Sequence, residues 1–253
     1  MDWFKYDFGY DWPWTLGHLV PIILFGLLAI VAARRRWPKW SIAVFCIPVV
    51  WGAIGLAIVN VVLCFSRIPE LPTQAFLPSG EGLVLDAGAG SGRSTLMVLA
   101  ERSGARVMAL DIFDGHFGIS DNTPERLMRN AQRAGSAERV RVIVGDMRAM
   151  PVATDTLDAA ISSFAIDHLP EKGIHQALAE LRRTLKPGGQ FLMSTINADA
   201  YVRIAFPLAA EHGYFGRGDA RAQWTHLLES GGFEILEVGT VPGTLYFLAA
   251  SAD

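Results

Sequence analysis

Three short apolar runs in this chain each stop at an aspartate, and a helix-like stretch separates each run from the next. Leu83-Val84-Leu85 ends at Asp86, the run from Arg106 to Leu110 ends at Asp111, and Val140 to Val144 ends at Gly145-Asp146. A short apolar run bounded by turn residues suits a strand buried on both faces of a parallel sheet. One aspartate after a strand is an ordinary turn residue. Three in succession, all at the carboxyl edge where open α/β sheets bind ligands, point to a binding site.

The chain beyond keeps the same rhythm. Ser94 to Arg102 reads as a helix closed by Gly104, and Thr123-Pro124-Glu125 opens another, with Thr123 as N-cap and Gly135 as C-cap. Leu157 to Ser163 is a fourth strand. Ile174, Ala177, Leu178, Leu181 and Leu185 line one face of the next helix, which Lys186-Pro187-Gly188-Gly189 is expected to stop before a fifth strand from Gln190 to Thr195. The last two strands, Phe233 to Gly239 and Thr244 to Ala250, are joined by Thr240-Val241-Pro242-Gly243, a link that permits an antiparallel hairpin and no parallel crossover. The expected fold class is α/β: a doubly wound Rossmann-like sheet, mostly parallel, with an antiparallel C-terminal hairpin.

Glycines at 88, 90 and 92 follow the first strand directly. They let a turn approach a ligand with no Cβ in the way, and the next helix offers its free N–H groups. The nicotinamide-cofactor fingerprint needs a further glycine where Arg93 stands. The peptide Val84-Leu85-Asp86-Ala87-Gly88-Ala89-Gly90-Ser91-Gly92 instead resembles the first motif of class I S-adenosylmethionine (SAM)-dependent methyltransferases. The likeness extends through Asp111, Gly145-Asp146-Met147, Leu157-Asp158, the Lys186–Gly189 turn and the terminal hairpin, roughly residues 80–250. It implies SAM as cofactor, with Asp86, Gly88, Ala89, Gly90 and Gly92 around its amino-acid end. It implies Asp111 on the ribose hydroxyls with Ile112 beside it, Asp146 on the adenine amino group and Met147 against the ring. Ser163, closing the fourth strand, completes the set, and Asp158 is taken as structural.

Methyl transfer from a sulfonium is an in-line displacement whose donor is already activated, so a base is needed only when the acceptor must lose a proton. His168 and Asp167, just after the fourth strand, are the catalytic candidates, and a helix-capping histidine is the bland alternative at 168. The spacing of His116, His168 and His212 supports no metal site. The aromatic-rich stretch 197–230, with Tyr201, Phe206, Tyr214, Phe215 and Trp224, is expected to cover the acceptor.

Residues 1–66 differ in kind. The runs 16–33 and 41–65 hold almost no charge, and Arg34-Arg35-Arg36-Trp37-Pro38-Lys39-Trp40 joins them. A helix of about 20 residues crosses a bilayer core, and flanking aromatics such as Tyr6, Phe8, Tyr10, Trp12 and Trp14 suit its interface. The expected organisation is therefore a membrane-anchor helical hairpin (1–66), a linker (67–82) and a methyltransferase domain (83–253) on the cytoplasmic side of a membrane. The alternative is a pair of buried core helices. The cationic turn favours a cytoplasmic tip by the positive-inside tendency, whereas cytosolic SAM favours a cytoplasmic domain. Either that rule is broken here or one segment is re-entrant or interfacial. A chain starting near Arg67 is expected to be soluble and to bind cofactor.

Composition narrows the partners. Cys46 and Cys64 both lie in the second apolar run, roughly 27 Å apart on one helix at ~1.5 Å per residue, so they cannot pair there. Beyond residue 66 the chain carries 17 Lys/Arg against 22 Asp/Glu and no basic stripe, which argues against nucleic acid. The expected partners are the bilayer, through residues 1–66, and a small, lipophilic or membrane-accessible acceptor. A tethered thiol or metalloid methyltransferase and a non-catalytic SAM-binding membrane scaffold are the alternatives.

Overall fold

The computed structural model describes residues 5–114, 119–207 and 219–252. Helices α1 (Trp12–Thr15), α2 (Leu19–Arg34) and α3 (Lys39–Ala57, continued by a π-helical turn Ile58–Val62) come first. A seven-stranded sheet follows. Its strands are β1 (Glu81–Ala87), β2 (Gly104–Asp111), β3 (Val140–Val144), β4 (Leu157–Ser163), β5 (Leu185–Ile196), β6 (Phe233–Val241) and β7 (Thr244–Ser251). The order is β3-β2-β1-β4-β5-β7-β6. β1 to β5 are parallel, and β7 runs antiparallel to both β5 and β6. Strand order reverses between β1 and β4, and such a switch point opens a crevice at the carboxyl edge.

The intervening helices are α4 (Arg93–Glu101), α5 (Pro124–Ala134), α6 (Glu171–Thr184), α7 (Ala200–Ala205) and α8 (Ala220–Ser230). Local chemistry sets their ends. Thr123 accepts from the Arg126 N–H at the start of α5, and Gly135 ends it at φ 69°. Ile174, Ala177, Leu178 and Leu181 bury one face of α6 against Leu85, Phe191 and Phe247 of the sheet. Its stop differs from expectation. α6 ends at Thr184, and Leu185 pairs with Leu157 as the first residue of β5. Lys186–Gly189 then forms an irregularity within the strand, held by Lys186 Nζ donating to Asp158 at 2.5 Å, while Asp158 also accepts the Leu83 N–H at 2.7 Å.

Residues 67–82, expected as a linker, are part of the core. Leu71, Phe76 and Leu77 pack with Val84, Met97 and Val107. Arg102 Nε donates to the Phe76 carbonyl at 2.8 Å, and Gln190 accepts the Leu77 N–H at 2.6 Å. Trp224, expected over the acceptor, is instead fully buried on α8 among Leu178, Phe233 and Phe247, because the apolar face of α8 closes that side of the sheet.

α2 and α3 pair along a seam of small residues, Ala32, Ser41, Gly52 and Gly55, which allows close helix approach. Their outward faces, including Ile23, Leu24, Leu27, Val44, Ile47 and Val50, are exposed. The helix Lys39–Val62 is long and apolar enough to cross a membrane, and α2 is shorter at 16 residues. Cys46 and Cys64 are free thiols.

Candidate functional site

β1 is central, buried from Val84 to Ala87, and delivers the glycine turn to the crevice. Gly88 sits at φ 84°, and a Cβ there would overlap Ala165 and come within 3.0 Å of Met147 Cε. The turn thus meets the loop after β4 and the loop after β3 at one point. Ser162 Oγ donates to the Ala87 carbonyl at 2.9 Å and accepts the Ile166 N–H at 3.3 Å, tying the start of the turn to the loop after β4.

The three strand-ending aspartates have different surroundings. Asp86 is fully buried beneath the turn, where it accepts from Ser94 Oγ at 2.8 Å and Thr95 Oγ1 at 2.6 Å. Burial pushes it up to about 6, against the lowering effect of those hydroxyls. Its carboxylate therefore holds the first turn of α4. Asp111 is half-buried and organises the loop around it. It accepts the Gly90 N–H at 2.8 Å, the Phe113 N–H at 2.7 Å and Asn122 Nδ2 at 3.1 Å. Ile112, 48% exposed, stands beside it at the edge. Asp146 is gripped by Arg148, whose Nε and Nη2 donate at 2.9 and 2.6 Å to one oxygen. Those hydrogen bonds hold Asp146 below the usual carboxylate range.

At the ends of β4 and β5, Ser163 is half-buried and Phe164 adopts a left-handed φ of 52°, a strained conformation of the kind that collects at functional sites. Asp167 is buried. Thr195 Oγ1 donates to its Oδ2 at 2.6 Å, and its Oδ1 has no hydrogen-bond partner. Burial raises the Asp167 carboxyl, against the opposing pull of His168 and Thr195. His168 is exposed. The expected pair is thus split between a dry carboxyl and a wet imidazole. His116, His212, Tyr214 and Phe215 lie outside the described residues.

Sequence reasoning missed one contributor, the segment before the hairpin. Tyr6, Phe8 and Tyr10, expected at a membrane interface, pack on the globular domain, with Phe8 buried against Leu96 and Ala131. Asp7 pairs with Arg126 at 3.3 Å, and the Gly9 carbonyl accepts the Ser120 N–H at 2.8 Å. Residues 5–11 thus form a strap across the outside of the glycine turn. The base of the hairpin is equally engaged. Buried His18 donates from Nε2 to the Ala205 carbonyl, and Trp51 Nε1 to the Ile204 carbonyl, each at 2.8 Å, so hairpin side chains cap the end of α7. Phe206 stacks near Phe65, which stacks on Tyr10, and Trp14 meets Phe206 edge-on. Every partner in this assembly is distant in sequence, and only the excess of aromatics in 1–14 hinted at it.

Residues 84–189 match the family of methyltransferase domains. Over 163 residues the chain is 28% identical to a malonyl-[acyl-carrier protein] O-methyltransferase of Nitrosospira multiformis, covering 61% of this chain and 52% of that protein. Over 117 residues it is 39% identical to a demethylmenaquinone methyltransferase of Thermobifida fusca, covering 46% and 43%. The chain spans about half the length of the curated relatives it matches. Among solved structures it resembles 1,6-didemethyltoxoflavin-N1-methyltransferase of Burkholderia thailandensis, with a TM-score of 0.52 and 24% identity, covering 68% of this chain and 72% of that one. It also resembles a [4+2]-cyclase, with a TM-score of 0.53 and 17% identity, covering 68% and 76%. Residues 84–189 thus resemble a methyltransferase domain, and the sheet that holds them has the mostly parallel, Rossmann-like order. The cyclase is a reminder that this architecture alone does not name a reaction.

Proposed function

We propose that the chain transfers a methyl group from SAM to a small lipophilic acceptor at a membrane surface, with the domain on the cytoplasmic side. The observation that carries this reading is the meeting at one sheet edge of the glycine turn, Asp111 and Asp146 with the base of a hairpin whose outward faces are apolar and exposed. Exposed apolar surface of that extent marks an interaction site. The residues present fit the cofactor. Asp111 has acceptor capacity left for ribose hydroxyls, Ile112 and Met147 offer apolar surface to a base, and Asp146 can share its carboxylate between Arg148 and an amino group. Asp86 supports the turn from below through Ser94 and Thr95.

The bound cofactor supplies a methyl group on a positively charged sulfur. What the chain's own residues add is placement and, for an acceptor that must lose a proton, a base. Asp167 suits that role: its free Oδ1 is dry, Thr195 fixes the carboxyl, and burial makes it more basic than an exposed aspartate. The relatives' printed names include both a carrier-bound malonyl group and demethylmenaquinone. The apolar hairpin favours an acceptor of the second, quinone-like kind.

Incubating the full-length protein with labelled SAM and total membrane lipid, followed by mass spectrometry, tests this directly. A methylated lipophilic product is expected. Absence of both product and SAM binding overturns the reading. Asp111→Ala should weaken SAM binding by ~1.5–3 kcal/mol, the range for hydrogen bonds to a charged group. The anchor reading fails if full-length protein is recovered in the soluble fraction without detergent, or leaves membranes in a carbonate wash.

A further inference from the structure

Gly92, at φ 89°, is the last residue of the glycine turn, and its two neighbours are each tied to a different end of the apolar hairpin. On one side, Ser91 Oγ donates to the Phe8 carbonyl at 2.6 Å. Asn130, wholly buried on α5, donates to the carbonyls of Ser91 at 3.0 Å and Asp7 at 2.7 Å, and accepts the Asp7 N–H at 3.0 Å. That amide uses three of its hydrogen-bonding positions to join the strap to the turn. On the other side, the Arg93 guanidinium donates to the carbonyls of Leu63 at 3.1 Å, Cys64 at 3.3 Å and Arg67 at 3.2 Å. Leu63 and Cys64 directly follow the helical turn that ends at Val62, where carbonyls lack intrahelical partners.

A turn with three glycines has much conformational freedom to lose when it closes on a ligand. Clamps at both neighbours of Gly92 remove part of that freedom beforehand, which raises affinity by preorganisation. We propose that Asn130 and Arg93 are positioning residues that make SAM affinity depend on both ends of the hairpin being seated, so that anchor and cofactor site form one binding unit. This rests on the SAM reading above. Coupling of this kind is reciprocal: SAM must in turn tighten the strap.

The test uses full-length protein in detergent micelles and SAM as the probe. Asn130→Asp turns a double donor facing two carbonyls into an acceptor, and Arg93→Gln removes the fork. Each should weaken SAM binding in calorimetry at least tenfold, with Arg93→Lys intermediate. A control, Thr184→Ala, removes a buried hydroxyl on α6 that bonds the Glu180 and Leu181 carbonyls far from the turn, and should stay within twofold of wild type. Wild-type binding with both clamp variants also within twofold would overturn the clamp alone, as would an equal loss in the control. No binding by wild type would overturn the cofactor reading and the clamp with it. If a variant does not fold, hydrogen exchange on the wild type decides. Slower exchange of amides 6–10 with SAM supports the coupling, and unchanged exchange refutes it.

Discussion

The hairpin meets opposite surroundings at its two ends. Toward the tip, Ile47 is 68% exposed and Trp40 70%, and Arg34 to Arg36 project freely. At the base, His18 is 4% exposed and Val59 is fully buried, packed with Ile58 and Ala205 and ringed by Phe65 and Phe206. Yet Ile47 and Val59 belong to the same charge-poor run. Apolarity therefore marks what must leave water and does not distinguish a lipid partner from a protein one. The two ends separate only when the contacts of α7 and the glycine turn are known.

The largest expected effect is removal of residues 1–66. It strips Phe8 from Leu96 and Ala131, leaves Arg93 without the Leu63 and Cys64 carbonyls, and uncovers Phe206. The shortened chain should aggregate and lose SAM binding, against the separable domain expected from sequence. A soluble fragment that melts cooperatively and binds SAM normally would erase the difference between the ends. Replacing Ile23, Leu27 and Ile47 together by serine should instead release the protein from membranes while leaving SAM affinity within twofold.

A smaller effect gauges how dry the base side is. Asp86 has a folded-state pKa of about 6 against an ordinary 3.8, so its contribution to stability is fully present below the lower value and lost as pH rises through the upper one. Between about pH 3 and about pH 7, wild type should lose roughly 3 kcal/mol of unfolding free energy relative to Asp86→Asn. A pH-independent difference would mean that water reaches the floor of the turn. Next in size, Phe206→Ala at the base should cost roughly 2 kcal/mol, below the range for a fully buried phenylalanine because Phe206 is half-buried. Phe25→Ala, in the part of the hairpin away from the domain, should change the melting of the domain little. The smallest effect belongs to the tip. Each of Arg34, Arg35 and Arg36 changed to Gln should weaken binding to anionic vesicles by about 1 kcal/mol, and salt should diminish the difference.

The parallel sheet was legible because its signals are local. Apolar runs ending in Asp86, Asp111 and Asp146, the Thr123 cap and the Gly135 stop each need only a few neighbouring residues. What those aspartates touch was less legible. Asp86 faces Ser94 and Thr95 rather than the crevice because the start of α4 folds back over β1, a tertiary event. Lys186–Gly189 looked like a turn by composition, but pairing of Leu185 with Leu157 absorbed it into β5. Tyr6 and Phe8 stand near an apolar run, as interfacial aromatics do. Their partners Leu96 and Ala131 lie some 90 residues or more further on, beyond any periodicity.

The capping of α7 bears on the order in which the molecule is built. Six residues make too short a helix to stand alone, so α7 depends on the donors of His18 and Trp51 for its last carbonyls. Synthesis delivers those donors first: Trp51 precedes its acceptor at 204 by 153 residues, and His18 precedes its acceptor at 205 by 187. Throughout that interval the two rings must find water for their N–H groups, since a donor buried without a partner is costly. The cap on α7 can therefore form only once the chain has reached residue 205.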